Sequence, residues 1–293
     1  MLRMNRLARK CIVLVKELVK LFMEHNARLV ATGERSPATV KFYNSRFKWL
    51  LLFFVNRKWK TIKPIEILEF LEYAGNGRSG TTRRHNVTAI NTLQRFARKQ
   101  GLAKKRIFKA LEKPPMGRRT FTPTDEQTDA LLSNASVAFR IIHAALAKSA
   151  ARPGEMCQLN MEDIDWYQGL IVLTHHKTAR KTGQPRLIPV GSSLAAILRT
   201  AIGTRTAGPV FLTECGSRWQ PSHLSSMFRR LRIEAGLPRE YVLYSERHGT
   251  ATKIVDKHGI EKARVILGHS SITMTQRYTH LKVEELGSIM DSI

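Results

Sequence analysis

Residues 113–119, KPPMGRR, break the chain in two. Paired prolines fix two φ angles and remove two backbone donors, and the glycine that follows opens conformations closed to other residues, so neither a helix nor a strand is expected to run through. The 293 residues are enough for a domain on each side, each burying its own core. The expected organisation is an N-terminal helical extension (1–34), a helical domain (35–112), a linker (113–122), a second domain (123–281) and a tail (282–293).

Charge separates the two halves. Lys and Arg number 49 against 23 Asp and Glu, a net charge of +26. Residues 1–120 carry 28 basic and 7 acidic residues, a net of +21, whereas 121–293 carry 21 and 16, a net of +5. An excess of this size points to a polyanionic partner such as nucleic acid, although a membrane surface or an acidic protein would also satisfy charge alone. Concentration in one domain is what a phosphate-gripping module needs.

Local patterns give the fold class. Apolar residues recur at helical spacing over 5–28, which predicts an amphipathic helix. Ser36-Pro37 is an N-cap and first-turn pair that launches a helix through KFYNSRFKWLLLFF. Further helices are expected at 64–73, from Thr81 or Thr82 to Lys99, and as a short basic helix over 104–111. Beyond the linker, Thr124 caps a helix whose first turn is acidic, as the helix dipole favours. Helices at 125–134, 136–149 and 153–159 lead to strands near 170–174 and 186–190. A basic loop through His175, His176, Lys177 and Gly183 joins the strands as a hairpin. Helices resume at 193–201, 221–235, 247–257, 260–267 and 273–278. The expected class is mainly α with a small antiparallel β-sheet.

Cys11, Cys157 and Cys215 are widely spaced, with no CxxC and no Cys/His ligand spacing. Neither a disulfide framework nor a metal site is predicted, and scattered thiols fit a reducing compartment. CIVLVKELVKLFM, residues 11–23, is interrupted by Lys16, Glu17 and Lys20, which argues against a membrane span or a signal-peptide core. A cytoplasmic, nucleoid-associated protein is expected, with no membrane partner.

The chemistry is concentrated near the C-terminus. LGHSSITMTQRYTH, residues 267–280, places Tyr278 nine residues after His269. A phenol ionises near pH 10 in water, so a tyrosine nucleophile needs electrophilic help. The chain offers Arg152 in AARPGE, Lys177 in THHKTAR and Arg247 in YSERHGTAT. Transesterification at a phosphodiester develops charge on the non-bridging oxygens, and forked guanidinium donors suit that charge better than a lysine does. A covalent ester on a tyrosine would conserve the energy of the ester it replaces, so a reaction of this kind needs no cofactor.

The order Arg, Lys, Arg, His, Tyr resembles the tyrosine recombinase family, the phage-integrase and Xer-like site-specific recombinases, over roughly 121–281 and more loosely from Ser36. The resemblance implies a helical core-binding domain followed by a catalytic domain. It assigns Arg152 and Arg247 to the scissile phosphate, Lys177 to the leaving oxygen, His269 to a phosphate hydrogen bond and Tyr278 to a 3′-phosphotyrosine. Glu155 matches the acidic partner of the first arginine. Where the family usually reads His-x-x-Arg-His, this chain has Tyr244-Ser245-Glu246-Arg247-His248. Tyr244 therefore stands at the usual histidine position, able to donate a hydrogen bond but not to carry positive charge. Glu246 replaces a residue that is usually apolar.

The resemblance further implies double-stranded DNA gripped by both domains and a homo-tetramer on paired sites that exchanges strands through a Holliday junction. The free protein would be a monomer or weak oligomer. Accessory DNA-bending factors and docking of the tail on a neighbouring protomer also belong to that picture. Candidate DNA contacts are Arg46, Lys48, Arg83, Arg84 and Lys104 in the helical domain, and the stretch from Ser222 to Arg230 in the catalytic one. Three rivals stand beside this reading: a type IB topoisomerase-like enzyme, a catalytically weak or inactive DNA-binding protein of the same fold, and a helix-turn-helix factor.

Overall fold

The computed structural model describes residues 13–103, 106–108, 111–114, 121–174, 183–269 and 271–278. The chain forms two compact units, Met1–Gly117 and Arg118–Ile293.

The first unit is built from α1 (Val15–Ala31), α2 (Pro37–Phe54), α3 (Pro64–Gly75) and α4 (Gly80–Lys99). Each begins where the sequence supplies a partner for orphan amides. The Glu17 carboxylate accepts from Leu14 N at 3.0 Å, and the Ser36 hydroxyl accepts from Ala38 N at 3.3 Å, with Pro37 at the first helical position. The Glu66 carboxylate accepts from Lys63 N at 2.8 Å, and the Ser79 hydroxyl accepts from Thr82 N at 3.3 Å. Such contacts contribute about 1 kcal/mol each. The larger contribution comes from the apolar faces that meet in the centre, at Leu18, Phe22, Phe47, Leu50, Phe54, Trp59, Ile67, Phe70, Ile90 and Leu93. Phe22 meets Tyr43, Phe47 and Phe96 edge-on. Burying one such side chain is worth about 1.5–3 kcal/mol.

The short basic helix expected over 104–111 is not formed at its described residues. Arg106, Ile107 and Phe108 lie in bent chain. Their backbone groups are bonded elsewhere. Gln94 on α4 accepts from Ile107 N at 2.9 Å and donates to Phe108 O at 3.1 Å. Asn91, one turn earlier, donates to Leu111 O at 3.2 Å and accepts from Leu111 N at 3.3 Å. Two amide side chains thus lash the segment along α4, and local helix propensity loses to tertiary hydrogen bonding.

The second unit holds α5 (Asp125–Leu132), α6 (Val137–Ser149), α7 (Pro153–Gln158), β1 (Ile164–Asp165), β2 (Leu170–Leu173) and β3 (Arg186–Pro189). It continues with α8 (Ser192–Ile202), α9 (Pro221–Glu234), α10 (Ser245–His258) and α11 (Ile260–Leu267). The strands form an antiparallel sheet in the order β1-β2-β3, with Ile171 opposite both Ile164 and Ile188. The hairpin falls where the sequence places it. Two-residue β1 was not anticipated, being too short to show alternation. The sheet and helices bury Phe139, Ile142, Ile171, Ile188, Leu198, Trp219, Leu224 and Phe228.

The helix expected over 273–278 is instead two 3-10 turns, Ile272–Met274 and Gln276–Tyr278. Their bonds span three residues, from Thr275 N to Ile272 O at 2.7 Å and from Tyr278 N to Thr275 O at 2.9 Å. Ile272, Thr273 and Thr275 are β-branched and stiff at χ1, and the side chain of Thr275 is held by a neighbouring histidine, so the tighter turn prevails. Among the described residues no helix is long and apolar enough to cross a membrane, and no group of His, Cys, Asp and Glu is arranged to hold a metal ion.

Candidate active site

The site is organised around the end of α6. Ala150, at its C-cap, has φ +50°, a left-handed conformation that turns the chain sharply. Arg152 follows as N-cap of α7, with Pro153 at the first helical position. The Glu155 carboxylate folds back, accepting from Arg152 N at 2.8 Å and from Arg152 Nη1 at 2.6 Å. It also accepts from Nη1 of Arg186, the first residue of β3. One carboxylate therefore lies between two guanidinium groups. Burial works against its charge, but Arg186 and Arg152 prevail and hold the Glu155 carboxyl below its ordinary value. Burial also pulls Arg186 down to about 10, with Glu155 opposing and Arg247 and Arg152 adding to the shift.

Arg247 enters from the first turn of α10 and is 1% exposed. Its Nη1 donates to Ala150 O and its Nη2 to Leu267 O at 2.8 Å. Among the described residues its Nε has no hydrogen-bond partner. Burial lowers the Arg247 pKa, against the pull of Tyr244 and with a further push from Arg152. A guanidinium buried with its ends fixed by two carbonyls is a pre-aimed cation.

His269 follows Gly268, and its Nε2 lies 3.3 Å from Arg247 Nη2 while its Nδ1 lies 2.9 Å from Thr275 Oγ1. A guanidinium nitrogen only donates, so Nε2 is the acceptor in this contact. Tyr278 is 2% exposed, with its ring stacked 6.1 Å from that of His269 and tilted 5.2 Å from that of His248. Half-buried Tyr244 meets His248 edge-on at 5.3 Å. The four rings touch in the order Tyr244, His248, Tyr278, His269.

Gly268 explains itself in this setting. Its φ is +61°, and a Cβ there would come within 2.8 Å of Arg186 Nε and 2.9 Å of Arg186 Cδ. Only glycine combines the left-handed turn with this approach.

Of the sequence-predicted site residues, Arg247, His269, Tyr278 and Tyr244 are linked by direct contacts or through His248, whereas Arg152 joins Glu155 and Arg186 in a cluster whose charges act on Arg247 without touching it. Lys177 and Lys104 lie outside the described residues. Lys48 and Arg83 are exposed on the first unit, and Arg46 is half-buried, with Nη1 3.5 Å from Asn86 Oδ1. Arg84 is half-buried, with Nη1 donating to Pro114 O at 2.9 Å. Ser222 is exposed in the first turn of α9, whose Pro221 lies beside Gly154 in α7, while exposed Arg230 is 3.6 Å from Glu234.

Sequence reading missed Arg186 and Thr275. Arg186 carried a usable signal. In RLIP the buried phase of the strand is Arg186 and Ile188, so a charge occupied an inward position. Thr275 carried none.

The phage integrase family model matches residues 124–285, more than half of the chain. The tyrosine recombinase XerC of Alcanivorax borkumensis is 25% identical over 292 residues, covering 94% of this chain and 92% of that protein. Among solved structures, a lambda integrase tetramer bound to a Holliday junction superposes with a TM-score of 0.76 at 16% identity, over 95% of this chain and 83% of that one. The Tn1549 transposon integrase in complex with transposon right end DNA gives 0.73 at 18% identity, over 96% and 99%. The fold, the matched span and these relatives agree: the chain belongs to the phage integrase family of tyrosine recombinases, enzymes that recombine DNA.

Proposed function

We propose that this protein is a site-specific recombinase that cleaves and rejoins DNA strands through a 3′-phosphotyrosine on Tyr278. The observation that carries the reading is the meeting of Arg247 with His269, and of His269 with Tyr278, beside the Arg152–Glu155–Arg186 cluster. In the proposed reaction the Tyr278 oxygen bonds to phosphorus as the bond to the 5′ oxygen breaks. The phenolic proton leaves toward His248, whose ring lies beside that of Tyr278, and the 5′ oxygen takes a proton from Lys177. Arg152 and Arg247 stabilise the added phosphoryl charge, and loss of one such donor commonly costs about 3–4 kcal/mol. Resealing reverses the step with a new 5′-hydroxyl. Because Tyr278 is 2% exposed, attack requires the two 3-10 turns to shift as DNA enters.

The basic first unit serves as the phosphate grip, with Arg46, Lys48, Arg83, Arg84 and Lys104 as its contacts and Ser222 to Arg230 as contacts from the second unit. The substrate is double-stranded DNA, the working assembly a tetramer on paired sites, and the compartment the cytoplasm around the nucleoid. The domain limits are those read from the sequence, 35–112 for core binding and 123–281 for catalysis. Tyr244 favours one second reading, a DNA-binding protein of this fold that cleaves slowly or not at all.

Covalent trapping tests both. The protein is incubated with nicked or bubble-containing duplexes, denatured in detergent and compared with Tyr278→Phe. A protein–DNA adduct present in the original and absent in the variant is the expected result. Tight duplex binding without any adduct would replace the proposal with the second reading.

A further inference from the structure

Glu246 is buried at a position that the family usually fills with an apolar side chain. Its Oε1 accepts a hydrogen bond from Tyr241 Oη at 2.7 Å. The same oxygen lies 3.1 Å from His143 Nε2, close enough for an ion pair although poorly aligned for a hydrogen bond. Tyr241 Oη is also 3.3 Å from Thr128 Oγ1. Glu246, His143 and Tyr241 are all buried. Packing alone gives no reason for a carboxylate here, since replacing a buried ion pair with apolar residues of like volume is often neutral or stabilising.

Its place in the fold supplies the reason. His143, Ala147 and Ala150 fall on one stripe of α6 at i, i+4 and i+7. Ala147 O accepts from Thr250 Oγ1 at 2.7 Å, and Ala150 O accepts from Arg247 Nη1. Along this seam α6 therefore holds Glu246, Arg247 and Thr250, all in the first turns of α10. Tyr241 grips the same carboxylate from the segment that leads through Tyr244 into the helix. An apolar side chain can slide in such a seam, whereas a carboxylate held from two directions fixes both rotation and axial register.

We propose that Glu246 is a positioning residue for strand transfer: held by His143 and Tyr241, it sets the first turn of α10 and with it the direction in which Arg247 and Tyr244 present their polar ends. The inference rests on the reading of Arg247 as a phosphate-binding group and Tyr278 as the nucleophile. It is tested with Glu246→Leu and Glu246→Gln, alone and combined with Arg247→Lys. Adduct formation on a nicked duplex is followed in a single turnover, well below the melting temperature of each variant, with duplex binding measured separately.

Folded Glu246→Leu is expected to bind duplex like the original protein but form adduct about tenfold more slowly or worse. Glu246→Gln, whose amide oxygen still accepts from Tyr241, should recover most of the rate. In the Arg247→Lys background Glu246→Leu should add little, because a residue acting through Arg247 is not additive with it. Full rate in folded Glu246→Leu, or equal losses in both backgrounds, would overturn the proposal. Should Glu246→Leu not fold, His143→Leu/Glu246→Leu removes both facing polar groups together; a stable, slow double variant supports positioning and a stable, fast one refutes it. A crystal structure of the leucine variant separates this inference from the functional reading. Arg247 leaving the carbonyls of Ala150 and Leu267 supports positioning and Arg247 unmoved overturns it, even if the original protein forms no adduct.

Discussion

Gly268→Ala tests the close approach of Gly268 to Arg186, the guanidinium that shares the Glu155 carboxylate with Arg152. Two effects oppose the added methyl. The first is backbone strain, since φ is +61° and an L-residue held in the left-handed region costs roughly 1–2 kcal/mol. The second is collision, because the new Cβ would lie 2.8 Å from Arg186 Nε. Arg186 has little room to yield: its side chain is buried, its Nη1 is on Glu155 and its Nη2 donates to Ile266 O at 3.3 Å. Overpacking at an unyielding site costs about 1–3 kcal/mol, so the total is about 2–5 kcal/mol. Gly236→Ala is the control, with φ +63° and nothing within 4 Å of its Cβ, and should show the strain alone. The 1–3 kcal/mol difference corresponds to roughly 2–12 °C in melting temperature for a domain of this size. Calorimetry on the two variants measures it. Adduct formation should also fall in Gly268→Ala, because a displaced Arg186 drags Glu155 and thus Arg152. Equal melting temperatures for the two variants would refute the argument that Arg186 is held rigidly beneath the LGHS turn.

Three further outcomes are expected. Tyr244→His places a ring that can carry positive charge beside His248, and single-turnover adduct formation should rise by about tenfold or more, within the usual range for a positioned acid–base group; an unchanged rate would mean that Tyr244 does not limit cleavage. Acid should destabilise the second unit through Glu155 and Glu246, where burial opposes ionisation but Arg186 and Arg152 in one case, and His143 and Tyr241 in the other, hold the carboxyl below its ordinary value. A depressed folded pKa gives stability that is complete above the unfolded value of 4.5 and is lost as pH falls through the folded value, so melting temperature should drop below pH 4.5 and drop less in Glu155→Gln. Duplex affinity should fall by orders of magnitude between about 50 and 200 mM salt, and a flat titration would remove the first unit as a phosphate grip.

How much of this was legible in the sequence depended on whether a residue's reason for being there is local. Caps and turn signals are local, and Ser36, Thr124 and the two short runs joined by a basic loop placed their elements within a residue or two. The residues proposed for the chemistry were picked out for another reason: a phosphate, a leaving oxygen and a nucleophile each ask for a particular side chain, and Arg152, Arg247, His269 and Tyr278 sit in short patterns that match one. What failed to show was partnership across the fold. Gln94 and Asn91 look like ordinary polar residues on α4, yet they take the backbone bonds that a helix over 104–111 would have needed. Thr275 is one of several threonines until His269 Nδ1 is found against it.

Glu246 is the case in which the two kinds of legibility meet. As a sequence it was only a departure, a charge where an apolar residue is usual, with no account of why it is tolerated. His143 lies in α6, and no spacing links it to Glu246 or to Tyr241. Once α6 and α10 are packed, a buried histidine and a buried carboxylate, each costly alone, become mutually compensating, and a phenol takes up part of the remaining hydrogen-bonding capacity. The same reasoning applies to Arg186, whose inward charge is tolerable because Glu155 receives it. In both places an ionisable side chain that breaks the local apolar pattern sits within one turn or one contact of an arginine assigned to phosphate. A break of this kind is therefore a reason to look for a partner on another element rather than to discount the segment.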